Sequence, residues 1–229
     1  MGNYYADKLN ADKMMRVYDT QIPRIVQYLS AEIDYIKGFL DRTKTVMEFG
    51  AGYGRILKEL APHAKAVAGF DISAASVAAG QDYLKDHPNA TLFQADVHRL
   101  EHEAVYDIVL CVQNALSAMK GAAAQTVEKA VSMLSPGGTA LFSTYSPSFW
   151  AYRLAWFQEQ ADKGLLGPLD FEKSIHGQIV CQDGFTATTH SREELEGFAL
   201  KLGYPYAITE VDRSSLFLAI TKGKAKEHP

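Results

Sequence analysis

Three glycines at alternate positions follow a short apolar run and have the spacing of a ligand-binding turn. Gly50, Gly52 and Gly54 belong to residues 46–54, which read Val-Met-Glu-Phe-Gly-Ala-Gly-Tyr-Gly. Glycines permit a tight turn and let a ligand approach the backbone closely. A helix that begins just after them would offer free amide groups to a carboxylate. The spacing differs from the G-x-G-x-x-G of dinucleotide-binding proteins. Because any doubly wound fold can use such a turn, the motif needs support from other residues.

Three acidic residues supply that support, since each stands at the end of an apolar, strand-like run. They are Glu48, Asp71 and Asp96. In a parallel sheet the carboxyl ends of the strands share one edge, and ligands bind there. An acid at the end of the second strand can accept hydrogen bonds from both hydroxyls of a ribose. Asp71 could also be the N-cap of the following helix, either alone or together with the ribose role, and Asp96 could be an ordinary turn aspartate.

The segments that must position these residues alternate between strand-like and helix-like character. Strands are predicted at 45–49, 66–70, 91–94, 106–112 and 138–143, and helices at 55–60, 73–84 and 122–134. Nearly continuous apolar strands separated by helices indicate a parallel sheet that is covered on both faces. Two further strands, 206–211 and 216–221, are joined only by residues 212–215. Such a short link requires an antiparallel pair.

The N-terminal residues 4–39 lie outside this alternation and predict one or two helices. Apolar residues recur there at helical spacing, and Asp19 or Thr20 could cap the helix that starts at Pro23.

Residues 145–190 also break the alternation and are rich in aromatic side chains. Segments 178–181 and 185–188 could pair as a hairpin, and we interpret the whole insertion as a lid over the site. Ser191 and Glu194 then predict a capping box for the helix that follows.

With these motifs the chain resembles the class I S-adenosylmethionine-dependent methyltransferases over residues 45–143. Glu48-x-Gly50-x-Gly52-x-Gly54 matches the first motif of that family, acidic-x-Gly-x-Gly-x-Gly. The resemblance implies S-adenosyl-L-methionine as cofactor and S-adenosyl-L-homocysteine as product. It assigns cofactor binding to Glu48, Gly50, Ala51, Gly52, Gly54, Asp71, Ile72, Asp96, Val97 and Gln113.

The resemblance also gives these residues separate roles. The glycine turn would wrap the methionine part of the cofactor, and Glu48 would hold the turn or the ammonium group. Asp71 would accept from the ribose hydroxyls, with Ile72 packed on the adenine. Asp96 would accept from the adenine amino group, and the Val97 amide would donate to the ring.

The fold expected from this resemblance is α/β. It is a Rossmann-like, doubly wound, seven-stranded sheet that is mostly parallel and has an antiparallel closing strand. A helical N-terminal cap (residues 1–42) and the lid insertion (residues 145–190) would complete one methyltransferase domain spanning residues 1–229.

The loop after the fourth strand would face the reactive methyl group. Candidate catalytic residues are Gln113, Asn114, Tyr18 and His176, and candidate acceptor-binding residues are Tyr5, Trp150, Trp156 and His190. For Asn114 a purely structural role in the loop is an equal alternative. An aromatic pocket could favour an amine through cation–π contacts, whereas Arg153, Arg192 or Arg213 could hold a carboxylate. The sequence leaves these alternatives open.

The composition argues against several other kinds of partner. The net charge is -4 and the basic residues form no stripe, which disfavours nucleic acid, as does the lack of an Asn-Pro-Pro-Tyr type motif. No apolar run is long enough to predict a membrane span, no secretory signal is evident, and no cluster with metal-ligand spacing appears. We therefore expect a cytoplasmic monomer or homodimer that methylates a small molecule at nitrogen or oxygen. The alternatives are a non-catalytic S-adenosylmethionine-binding module and, less favoured, an NAD(P)-dependent oxidoreductase.

Overall fold

A seven-stranded sheet forms the centre of the molecule. The computed structural model describes Tyr4, Leu9 and residues 11–101, 105–119 and 121–223. The strands are β1 (Thr45–Phe49), β2 (Ala66–Asp71), β3 (Ala90–Gln94), β4 (Tyr106–Cys111), β5 (Leu134–Tyr145), β8 (Tyr206–Val211) and β9 (Ser215–Thr221). Their spatial order is β3-β2-β1-β4-β5-β9-β8. β1 to β5 pair in parallel, while β9 is antiparallel to both β5 and β8. The predicted fold class, with its antiparallel closing strand, is confirmed.

Helices cover both faces of this sheet. Those described are α1 (Asp12–Tyr18), α2 (Pro23–Lys37), α3 (Arg55–Leu60), α4 (Ala74–Tyr83), α5 (Ala115–Ala118), α6 (Ala123–Ser132), α7 (Trp150–Asp162) and α8 (Arg192–Leu202). Successive residues of a strand point to opposite faces. Val46 therefore packs with Leu57 and other residues of α2–α4, and Met47 packs with Val127 and other residues of α6 and α8. None of the described helices is long and apolar enough to cross a membrane.

The N-terminal helices and residues 145–190 pack together in a third apolar cluster beside the sheet. Val17 and Tyr28 from α1 and α2 contact this cluster, as do Trp156 and Phe157 from α7. The predicted hairpin is confirmed, because β6 (Ile179–Val180) pairs antiparallel with β7 (Thr186–Ala187). The helix α7, which belongs to the same segment, was not predicted.

Two helix starts test the predicted caps. At α8 the capping box is confirmed, with the Ser191 hydroxyl accepting from the Glu194 amide. At α2 the expected cap by Asp19 or Thr20 is wrong. Ile22 is the N-cap residue and no side chain caps the helix. The Thr20 hydroxyl accepts from the Ile22 amide at 3.2 Å instead, so it orders the chain just before the helix.

Candidate active site

A cavity of about 410 Å³ opens at the carboxyl ends of the parallel strands. Glu48, Asp71 and Asp96 all line it, together with the turn that follows β1 and the loop that follows β4. This convergence follows from topology, because β1, β2 and β3 are adjacent and run in the same direction. The volume lies within the roughly 300–1,000 Å³ typical of small-molecule sites. The structure therefore brings together the three acids that the sequence singled out.

The glycine turn approaches the cavity with a backbone that only glycine adopts readily. Gly50, Gly52 and Gly54 have φ values of 71°, 56° and 82°. A side-chain Cβ at Gly50 would lie 2.8 Å from the Met119 side chain. Gly50, Ala51 and Gly52 line the cavity. Gly54 does not line it, although it was predicted to bind cofactor. It is the N-cap of α3, and a Cβ there would meet the Leu84 side chain at 2.7 Å.

Asp71 holds the glycine turn to the second strand. Its Oδ2 accepts from the Gly52 amide and its Oδ1 from the Ser73 amide, both at 2.9 Å. Burial raises the pKa of Asp71, and these amide bonds oppose the rise. The alternative role as a helix cap is wrong, because Ser73 is the N-cap of α4 and accepts from Ser76. Each carboxylate oxygen has a second lone pair with which to accept from a ligand.

Glu48 and Arg55 form an acid–base pair that lines the same cavity. Among the described residues, Glu48 Oε2 and Arg55 Nη2 are buried and have no hydrogen-bond partner. Burial raises the pKa of Glu48 to about 8, while the charge of Arg55 opposes that rise. The Arg55 guanidinium also lies over the Tyr18 ring, 4.6 Å from its centroid. Buried polar atoms without partners are costly, so these two side chains are suited to a ligand that carries both an ammonium and a carboxylate.

Sequence reasoning treated Arg55 only as the start of a helix. The available signal was its position directly after the glycine motif, where the first residue of α3 must lie beside the turn.

The predicted adenine residues follow the second and third strands. Ile72, Asp96 and Val97 line the cavity. Asp96 Oδ1 accepts from the His98 amide at 3.0 Å, and its other oxygen is 3.9 Å from Arg99 Nε. Ile72 is one of the exposed large apolar residues, with 43% of its surface accessible. An exposed isoleucine between two acids is suited to packing against a flat ligand ring.

Gln113 and Asn114 form a strained corner after β4. Both have a left-handed backbone, with φ values of 54° and 61°, a conformation that is uncommon outside glycine and often found at functional sites. The backbone amide of Gln113 donates to Ser143 Oγ at 2.7 Å. The Asn114 side chain accepts from Thr144 Oγ1 at 2.9 Å and donates to the Thr188 carbonyl at 2.7 Å. Both residues line the cavity, and Gln113 Nε2 is buried without a partner among the described residues.

A buried glutamate lies behind this corner. Glu32 of α2 accepts from Ser215 Oγ at 2.7 Å and is near Ser143 and Gln113. Burial raises the pKa of Glu32 to about 7, against the lowering effect of these neighbours and of Arg55. Glu32 does not line the cavity, and sequence reasoning missed it because a glutamate in an amphipathic helix is usually exposed.

Of the predicted N-terminal and insertion residues, Tyr18 and Trp156 line the cavity. Their ring centroids are 6.2 Å apart, and Trp156 Nε1 donates to the Val17 carbonyl at 3.2 Å. Phe185, an aromatic residue of the insertion that was expected in the lid, lines it as well. So do Phe157 and Gln160, which were not singled out as candidates. Tyr5 lies outside the described residues.

Three other predicted residues do not reach the cavity. His176 is exposed, in a loop where its φ is 51°. His190 packs against Phe198, and its Nδ1 is 3.7 Å from Glu194. The Arg153 guanidinium lies 5.8 Å from the centroid of the Trp150 ring. All three belong to the insertion, and none of them is among the residues that line the cavity.

The arginines proposed for a carboxylate are also elsewhere. Arg153 is buried and donates to the carbonyl oxygens of Gly177 and Ala187, at 2.5 and 3.1 Å. Arg192 donates to the Ile208 carbonyl, and Arg213 is in the β8–β9 turn. None of the three lines the cavity.

Comparison with known proteins finds a family likeness over the part of the chain that carries the three acids. Residues 46–138 match a family model described as a methyltransferase domain. The chain is 30% identical over 129 residues to the ubiquinone biosynthesis O-methyltransferase of Hydrogenovibrio crunogenus (strain DSM 25203 / XCL-2). That match covers 55% of this chain and 53% of the relative, so the chain spans about half the length of this relative.

Solved structures share the fold along nearly the whole chain. The DhpI–S-adenosylhomocysteine complex superposes with a TM-score of 0.67 at 18% identity, covering 97% of this chain and 95% of that one. The N-methyltransferase NodS from Bradyrhizobium japonicum WM9, solved with S-adenosyl-l-homocysteine, gives a TM-score of 0.61 at 15% identity, with 96% and 99% covered. At such identities the likeness concerns the fold.

Proposed function

We propose that the chain is a class I S-adenosylmethionine-dependent methyltransferase, in keeping with the methyltransferase family model that residues 46–138 match, and that it transfers a methyl group to a small molecule. The acceptor atom is an oxygen or nitrogen, and the product is S-adenosylhomocysteine. One observation carries this proposal. Glu48, Asp71 and Asp96 line a single cavity beside a glycine turn, in the order of the strands that present them.

The residues present fit the cofactor. Glu48 Oε2 and Arg55 Nη2, buried and without partners in the described part of the chain, complement the ammonium and carboxylate of an amino acid. Asp71 has lone pairs left for ribose hydroxyls after binding two amides. Asp96, Val97 and Ile72 provide an acceptor, an amide and an apolar contact for adenine. When bound, the cofactor supplies a methyl group activated by a sulfonium.

The remaining residues align the acceptor and exclude water. Alignment accounts for much of the rate of such a displacement. Gln113 lines the cavity, and its Nε2 is buried without a partner in the described part of the chain, so this residue can orient the acceptor. Burial raises the pKa of Tyr18, so its hydroxyl stays protonated and acts as a hydrogen-bond donor rather than a base. Asn114 uses its amide to bind residues 144 and 188, which makes it a positioning residue.

Residues 145–190 act in this proposal as the lid, with α1 completing the cover. Trp156 donates to the Val17 carbonyl, and Arg16 Nη2 donates to the Lys163 carbonyl at 3.0 Å. The two covering segments are therefore joined to each other.

The test combines binding with turnover. Isothermal titration of the protein with S-adenosylhomocysteine and, separately, with NADH should show micromolar or tighter binding of the first only. Tight binding of NADH alone would contradict the proposal. Incubation with S-adenosylmethionine and a panel of small phenols, carboxylates, amines and thiols should then release S-adenosylhomocysteine with at least one acceptor class. Binding without release from any of them would instead favour a non-catalytic module.

A further inference from the structure

The cavity has a charged side and an apolar side. Its charged and histidine side chains come from the strand-end segments, namely Glu48, Arg55, Asp71, Asp96 and His98. The side formed by α1, α7 and β7 presents mainly Val17, Tyr18, Trp156, Phe157, Phe185 and Ala187. If the proposed function is correct, the first side holds the cofactor, and the second is the place for the acceptor.

One polar residue interrupts this apolar side. Gln160 lines the cavity and is only 3% exposed. Within the ranges that the structure describes, the side-chain amide of Gln160 makes no hydrogen bond. Its backbone carbonyl accepts from the Leu165 backbone amide. Gln158, two residues earlier, bonds to Asp162 at 2.7 Å in the usual surface manner. Because this amide has no protein partner in that part of the chain and lines the cavity, Gln160 can pair with a ligand there.

Three aromatic residues that line the cavity already have a guanidinium beside their rings. The Arg153 guanidinium lies 4.6 Å from the Tyr145 centroid and 5.5 Å from that of Phe157, and Arg55 covers Tyr18. A cationic acceptor would therefore meet two positive charges beside the rings that should attract it. An anionic acceptor would find Arg153 bound to backbone carbonyls and Arg55 next to Glu48. A buried charge without a counter-charge is strongly disfavoured.

We infer that the acceptor is an uncharged, ring-bearing molecule with a hydroxyl, carbonyl or amide substituent that hydrogen-bonds to Gln160. The amide of Gln160 both donates and accepts, which suits a neutral polar group. The aromatic side chains pack against the ring, and Gln160 selects the substituent. Gln160 is thus a specificity-determining residue of the acceptor site, and this inference rests on the proposed function.

The experiment screens ring-bearing fragments by ligand-observed NMR against the protein saturated with S-adenosylhomocysteine. The library contains neutral, cationic and anionic members in equal numbers, with and without hydrogen-bonding substituents. We expect the hits to be mainly neutral molecules that carry such a substituent. Gln160→Met, which keeps the length of the side chain, should weaken these hits about tenfold or more. Gln158→Met, on the same helix outside the cavity, should leave them unchanged.

Each result separates the inference from the proposed function. Unchanged affinity for S-adenosylhomocysteine in Gln160→Met shows that the variant is folded and that only the acceptor side is altered. Hits that are mainly ionised, the absence of any hit, or equal affinity of Gln160→Met and the unmodified chain would overturn the inference. Failure of the unmodified chain to bind S-adenosylhomocysteine would instead defeat the proposed function itself.

Discussion

The side-chain amide of Asn114 donates a 2.7 Å hydrogen bond to the carbonyl oxygen of Thr188. Asn114 follows β4 at the edge of the cavity, and Thr188 follows β7 in the aromatic insertion. A second bond, from Thr144 to Asn114 Oδ1, extends this connection to β5. One side chain therefore joins the loop that faces the proposed reaction centre to the segment proposed to cover it.

We expect Asn114→Ala to loosen the insertion without unfolding the sheet. The change leaves the Thr188 carbonyl and the Thr144 hydroxyl without their partner, at a cost of about 1–3 kcal/mol. Amide hydrogen exchange should become faster in residues 179–190 and remain slow in β1 and β4. Gln158→Ala, which removes a side-chain bond of similar length from α7, is the matched control. Equal exchange in the two variants would rule out a tie between loop and insertion.

Asp71→Asn should weaken S-adenosylhomocysteine binding by about 10- to 100-fold, because charge-assisted hydrogen bonds contribute about 1.5–3 kcal/mol each. The NH2 group of the asparagine would also face one of the two backbone amides, Gly52 or Ser73, from which Asp71 now accepts. Isothermal titration measures the change. Asp107→Asn is the control, since Asp107 accepts from the Thr45 amide at the opposite ends of the strands. A ribose role for Asp71 is excluded if both variants bind equally well.

Topology explains why the strand-end acids could be predicted. The alternation of apolar runs defines parallel strands, and parallel strands place their carboxyl ends at one edge. Glu48, Asp71 and Asp96 thus follow from sequence order without knowledge of side-chain packing. The same reasoning cannot see Glu32, which reaches the site from α2 through contacts with Ser215 on β9.

The residues of the insertion that line the cavity could not be predicted in the same way. Trp150 and Trp156 are alike in the sequence, yet only Trp156 lines the cavity, because the choice depends on how α7 packs. That helix was missed since two of its four buried residues, Arg153 and Gln160, are polar. The four buried residues do recur at helical spacing, but a search for apolar residues alone does not detect the pattern.

The affinity for S-adenosylmethionine should rise as the pH increases from about 6 to 8. Burial raises the pKa of Glu48 to about 8, so in the free protein the group is largely protonated at neutral pH. An ammonium beside it favours the ionised form, and binding should therefore release a proton. Calorimetric titration in buffers of different ionisation enthalpy measures that release.

Glu48→Gln isolates the contribution of this group, because the amino group of the ligand titrates equally with both proteins. We expect the variant to bind more weakly at pH 8 and to release fewer protons. If proton release is the same in the variant and the unmodified chain, Glu48 does not contact the ammonium.

Glu32 should make the free protein less stable as the pH rises. Its pKa is raised to about 7 in the folded chain and returns to its ordinary value, about 4.3, on unfolding. The folded state thus binds more protons between these values, and its stability is lost as the pH increases through about 7. Between pH 5 and pH 8 the loss amounts to roughly 2–3 kcal/mol, or a fall of roughly 5–10 °C in Tm. Glu32→Gln should remove that part of the fall in thermal unfolding, since a glutamine still accepts from Ser215 but does not ionise. Glu128→Gln, at an exposed position of α6, should keep the full fall. If Tm depends on pH equally in Glu32→Gln and in the unmodified chain, the ionisation of Glu32 does not destabilise the folded protein.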